Sequence, residues 1–252
     1  MKKNLNYFLF LLASFALFSS CQKSIEAKTG MVRFTFRNMV NTSPMDLNAA
    51  TYINPFGETY TISRFKYYVS NIRLTGTSTT AIENESYHLV DESIPGSLSF
   101  SFETDENTFS GISFLLGVDS IRNVSGAQTG ALDPLNDMFW TWNSGYIMAK
   151  MEGTSPLSNQ AGKKIEYHIG GFSGVNNTLK TINLAFPAGK TLVINEGKTS
   201  NISLEADFNK WWQTPNDIKI VNLPVCTTPG ALAKQVADNY SKMFTITDVV
   251  NN

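Results

Sequence analysis

The chain has 252 residues, 42% hydrophobic and 12% aromatic, enough to bury a sizeable core within one domain. Its 20 Lys and Arg balance 21 Asp and Glu to a net charge of -1, which excludes the basic footprint of a nucleic-acid-binding protein. Only 16% of residues are charged, and Ser, Thr and Asn take the polar positions, as in many extracytoplasmic β proteins.

Lys2 and Lys3 precede an uncharged apolar run over residues 6–18, too short to span a bilayer as a helix. Phe18-Ser19-Ser20-Cys21 closes that run and resembles a bacterial lipobox, although Phe18 stands where Leu is usual. Residues 1–20 therefore read as a signal peptide, Cys21 as the lipidated first mature residue, residues 21–30 as its tether and residues 31–252 as the folded domain. The expected location is the cell envelope, lipid-anchored at the periplasmic face or the cell surface of the outer membrane. There are two cysteines, so lipidation of Cys21 leaves Cys226 without a disulfide partner. Cys226 reads as a small buried hydrophobe in preference to a soft-metal ligand.

In residues 31–37, Val32, Phe34 and Phe36 share one face and Arg33, Thr35 and Arg37 the other, the pattern of a half-buried opening strand. Residues 51–53 and 59–62 flank Asn54-Pro55-Phe56-Gly57 and predict a hairpin. Further strands are expected over 65–74, 87–91, 98–102, 111–117, 164–169, 178–186, 191–194 and 199–206. Residues 119–133, rich in Gly, Ser, Asn and Thr, read as a loop. Short strands at about ten-residue spacing predict an all-β, antiparallel sandwich or barrel-like fold. Leu232, Val236, Tyr240 and Met243 recur at helical spacing behind Pro229, predicting one C-terminal α-helix over 231–243.

Residues 133–153 are the densest aromatic stretch. Met138, Trp140 and Trp142 alternate with Phe139, Thr141 and Asn143 until Asn143-Ser144-Gly145 interrupts the run. Tryptophans and a methionine on one strand face are more often core than chemistry.

Trp140-x-Trp142-x-Ser144-Gly145-Tyr146, the Lys150-x-Glu152-Gly153 behind it and the later Tyr167-His168-Ile169-Gly170 resemble the MbnP-like family. That family comprises copper-binding lipoproteins and secreted proteins related to the methanobactin-associated MbnP and to methanotroph MopE and CorA. Segments 63–71, 87–91, 115–120 and 238–244 resemble family segments in the same order, so the resemblance runs over residues 31–248. In the copper-binding members, Cu(I) sits among histidine nitrogens and a kynurenine made from tryptophan. The resemblance thus implies His168 and His88 as copper ligands, His168 the better match, with Trp140 or Trp142 as the modified third group. It also implies a dihaem peroxidase partner that oxidises the tryptophan. The chemistry is consistent: imidazole suits copper, whereas an intact indole is a donor only and cannot coordinate until its ring is opened.

From the residues alone, a lone strand histidine is usually structural. His88 shares a face with Val90, and His168 with Glu166; the alternation does not say whether the imidazoles meet. Met138, Met148 and Met151 could complete a soft site, but methionines in apolar runs usually fill core. Asp91, Asp119 and Glu152 could hold calcium, though turn capping or lysine pairing is the commoner use. With no Gly-x-Ser-x-Gly elbow, phosphate loop or His-Glu-x-x-His helix, the expectation is a non-catalytic protein. The alternative function is a surface lipoprotein that binds a glycan or protein on exposed aromatics, with Trp211 and Trp212 as the platform.

Overall fold

The computed structural model describes residues 28–126, 128–141 and 144–252. The expected signal peptide, Cys21 and Trp142 lie outside these residues. In chain order the strands are β1 (Thr29–Val40), β2 (Ser43–Pro44), β3 (Tyr52–Ile53), β4 (Thr59–Thr75), β5 (Thr80–Ile82), β6 (Tyr87–Asp91), β7 (Ser99–Asp105), β8 (Asn107–Phe109) and β9 (Gly111–Leu116). They continue with β10 (Phe139–Thr141), β11 (Gly145–Thr154), β12 (Lys164–Gly170), β13 (Lys180–Ala185), β14 (Leu192–Ile194), β15 (Thr199–Asp207), β16 (Val225–Cys226) and β17 (Phe244–Val250). The described α-helices are α1 (Ser120–Asn123) and α2 (Ala231–Tyr240).

Burial in β1 follows its alternation: Val32, Phe34 and Phe36 are buried, and Thr35 and Arg37 are exposed. The smaller sheet runs β17-β15-β1-β2, with β7 also on β1. The larger runs β13-β9-β4-β11-β12-β16, and β4 additionally pairs with β3, β5 and β6. The sandwich core lies between them. Phe36 of one sheet meets Tyr67 of the other edge to face, with ring centroids 6.2 Å apart. Phe65, Val69, Phe114, Met151, Ile165, Tyr167 and Ile169 continue the inner face of the larger sheet.

The pairing is antiparallel except for β1 with β15 and β12 with β16, which are parallel. The hairpin at residues 54–57 forms as its turn residues predict, with Tyr52 opposite Tyr60. Two expected strands, 59–62 and 65–74, are one 17-residue strand, β4, whose register shifts between Ser70 and Arg73. Asn71 sits within that shift at φ 51°, the left-handed conformation that Asn tolerates. β1 starts at Thr29, so the last two residues assigned to the tether are already in the sheet.

Helix α2 follows Pro229 and packs Ala233, Val236, Ala237 and Tyr240 into the core. It is not the end of the fold: β17 follows and pairs with β15.

The larger sheet also carries apolar side chains on its outer face. Tyr68, Tyr146 and Met148 pack there against Val118, Leu132 and Met138, with Trp140 and Phe172 against them. The segment from α1 to β10 thus lies over this face as a flap. Asn123 pins it: its amide donates to Val118 O (2.6 Å) and Asp119 O (2.9 Å), and its oxygen accepts from Tyr146 N (2.7 Å).

Candidate functional site

Strand parity decides where each candidate side chain points. On β12, Ile165, Tyr167 and Ile169 are core, so His168 and Glu166 face outward. His168 stands opposite Lys150 of β11, Lys150 opposite Lys66 of β4, and Lys66 opposite Asp91 of β6. These four residues form one row across four strands of the outer face. The next row holds Arg64, Glu152 and Glu166.

The rows form a joined polar network. His168 Nε2 lies 2.9 Å from Glu152 Oε1. Lys150, only 2% exposed, donates to Asp137 O (2.6 Å) and Asp137 Oδ2 (2.8 Å). Arg64 reaches the same Asp137 carboxylate at 2.7 Å, and Lys66 pairs with Asp91 at 3.0 Å. Burial, and then the Lys150 charge, hold the His168 imidazole below its ordinary 6.5, against the opposing pull of Glu152. His168 is therefore neutral at pH 7, as a metal-binding imidazole must be.

Trp140 belongs to the same face. A Cβ added at Gly170 would lie 2.5 Å from Trp140 Cζ3. Gly170 and His168 are two residues apart, so their Cβ directions agree and their Cα atoms lie about 7 Å apart. Trp140 therefore packs over β12 at Gly170, on the face that carries His168, at a place that only glycine leaves open.

His88 is elsewhere. On β6 it is opposite Val69, and Val90 opposite Tyr67, so it faces the sandwich interior. Its ring stacks on Phe100 of the other sheet, centroids 3.6 Å apart and planes 2° from parallel. Its Nε2 lies 3.0 Å from Glu83 Oε2. With strands about 4.8 Å apart and about 3.4 Å of rise per residue, the His88 and His168 Cα atoms are on the order of 17 Å apart across a flat sheet. An ion shared by two imidazoles holds both nitrogens at about 2 Å. The structure thus corrects the expectation of one centre built from both histidines.

Other candidates are engaged by protein groups. Met148 Sδ accepts from Val118 N at 3.2 Å. Met138 is buried under the flap and Met151 in the sandwich core. Cys226 is buried, and desolvation pushes its thiol up to about 11, so it is the small hydrophobe that its context predicts. Asp91 binds Lys66 and Ser93. Asp119 caps α1 through Ile121 N and Arg122 N and also accepts from Tyr87. No group of three or more His, Cys, Asp and Glu among the described residues is arranged to hold a metal.

Trp211 and Trp212 are each 1% exposed and pack on Phe208, Tyr167 and Tyr240, so the proposed aromatic platform presents no ring to solvent. Tertiary packing turns both indoles inward.

Sequence reasoning missed Lys150, Asp137 and Arg64 as parts of the site. One signal was present: Lys150 and Glu152 are two apart and so share a strand face. Their facing of His168 needed the register of β12.

The family model named MbnP matches residues 29–228. The structure of MbnP from Methylosinus trichosporium superposes with a TM-score of 0.53 at 14% identity, covering 87% of this chain and 98% of that one. At that identity the superposition establishes the fold. No curated protein sequence matches the chain. The family match spans the sheet, its outer face and the His168 strand, and this chain belongs to the MbnP family.

Proposed function

We propose that this is a membrane-anchored, extracytoplasmic copper-handling protein without catalytic activity, and that His168 is the imidazole through which it handles copper. One observation carries the choice of residue: Trp140 packs at Gly170, on the same outer face of β12 that carries His168 two residues before it. Membership of the MbnP family supports the copper assignment, and the lipobox ending at Cys21 supports the anchor.

The residues present do not fit a two-histidine copper centre, because His88 lies on the other face of the sheet. They offer one imidazole on the face where one indole packs, and Glu152 stands on the Nε2 side of that imidazole. A weaker site than a multi-histidine one is the consequence. The dihaem peroxidase partner enters only through the family resemblance; its product would be Trp140 carrying a net gain of one oxygen and loss of one carbon, which intact-mass and peptide mapping detect.

The test is titration of the mature protein with Cu(I) under a competing chelator. His168→Ala abolishes binding and His88→Ala leaves it unchanged. Binding absent in the wild type removes the function, and equal loss in both variants removes the residue assignment. The glycan-platform alternative has no supporting observation once Trp211 and Trp212 are buried.

A further inference from the structure

His168 and Glu152 are diagonal neighbours on β12 and β11. His168 is directly opposite Lys150, and Glu166 directly opposite Glu152. Diagonal neighbours on one face of an antiparallel pair are within reach of long side chains. Lys150 commits its ammonium to Asp137 O and Asp137 Oδ2. The imidazole is left to Glu152, whose Oε1 lies 2.9 Å from Nε2. Arg64 (3.6 Å) and Lys150 (3.8 Å) flank the same carboxylate and fix its place.

This contact decides where the ring carries its hydrogen. A carboxylate has no hydrogen to give, so a neutral imidazole against it donates through Nε2–H. The lone pair is then on Nδ1. Among the described residues, Nδ1 has no hydrogen-bond partner and is not one of the buried polar atoms left without one. The His168 side chain is 16% exposed. Nδ1 is therefore the nitrogen that an incoming ligand can reach. His88 gives the contrast: its Nε2 also meets a carboxylate, Glu83, but its ring lies flat on Phe100.

A spacing of 2.9 Å would also suit one ion held between Nε2 and Oε1. Cu(I) is soft and favours imidazole nitrogen over carboxylate oxygen, which makes Glu152 an acceptor behind the ring and not a ligand. Carboxylates behind metal-bound histidines orient them in this way.

We propose that Glu152 is a positioning residue for His168: it holds the Nε2–H tautomer and so presents Nδ1 as the copper-binding nitrogen. The inference rests on the copper reading above and names the atom through which that reading works.

The test is ¹⁵N NMR of the mature protein carrying labelled histidine, first without metal and then with Cu(I), which is diamagnetic, under a competing chelator. Long-range proton–nitrogen correlations identify each ring nitrogen as protonated, bare or metal-bound. His88, the other histidine of the chain, reports that each variant is folded. Without metal the wild type shows a protonated Nε2 and a bare Nδ1, and Cu(I) moves the Nδ1 signal. Glu152→Gln keeps an acceptor, so the tautomer is retained and binding stays within a few-fold. Glu152→Ala shows mixed tautomers and binds Cu(I) about tenfold or more weakly, the usual cost of losing such a partner. Four results overturn the proposal and leave the copper reading standing: a bare Nε2 in the metal-free wild type, Cu(I) on Nε2, wild-type tautomer or affinity in Glu152→Ala, or equal loss in Glu152→Gln and Glu152→Ala. A wild type that binds no Cu(I) removes the copper reading itself, and this one with it.

Discussion

His168 and Lys150 stand directly opposite each other on β12 and β11, one imidazole and one buried ammonium on the same outer face. Because burial and this neighbour depress the imidazole pKa below 6.5, the unfolded chain binds its proton more readily than the folded one. This contribution to stability is complete above pH 6.5 and is lost as pH falls from there toward the lower folded value. Urea unfolding at pH 7.5 and 5.5 measures it. His168→Gln flattens the pH dependence between those points, and an unchanged slope contradicts the assignment.

Asp137 carries the charge balance of Lys150 and also receives Arg64. Asp137→Asn leaves a buried ammonium with only carbonyl contacts and Glu152 at 3.8 Å, and costs about 1–3 kcal/mol. Lys150→Met removes the need for the partner and lies within about 1 kcal/mol of wild type or above it. Chemical denaturation of both variants decides; a Lys150→Met protein less stable than Asp137→Asn contradicts this account.

Gly170→Ala drives a methyl group to 2.5 Å from the Trp140 ring. The ring or the strand moves, at about 1–3 kcal/mol. Trp140 emission shifts, and Cu(I) binding weakens if the indole and His168 act together. The emission change is read against a Trp140→Phe background.

Trp211→Ala empties a fully buried site beside Phe65, Phe208 and Tyr240. The expected cost is about 3–5 kcal/mol. A variant that keeps wild-type stability would mean that this indole is not core.

The outer face shows why a site is harder to read than a fold. Alternation in residues 164–169 assigns His168 to the Glu166 face, and the structure agrees. Alternation in residues 87–91 puts His88 with Val90, and that too holds. Neither statement contains the pairing of β4 with both β6 and β11, which sends the two faces to opposite sides. Trp140 was found as part of an aromatic strand, described over Phe139–Thr141, and the ring meets β12 at Gly170. Trp211 and Trp212 failed as a platform because two adjacent indoles in a polar loop look alike whether the loop lies on the surface or folds inward.

By itself, the sequence determined what depends on neighbours along the chain: the period-two burial of β1 and β12, the turn at residues 54–57 and the helix behind Pro229. Those follow from local backbone geometry and side-chain alternation. Tertiary structure alone decided which strands lie side by side, since paired strands come from segments as much as 168 residues apart, as Met31 and Thr199 do within β1 and β15. That pairing separates His88 from His168 and puts Gly170, where Trp140 packs, on the His168 face.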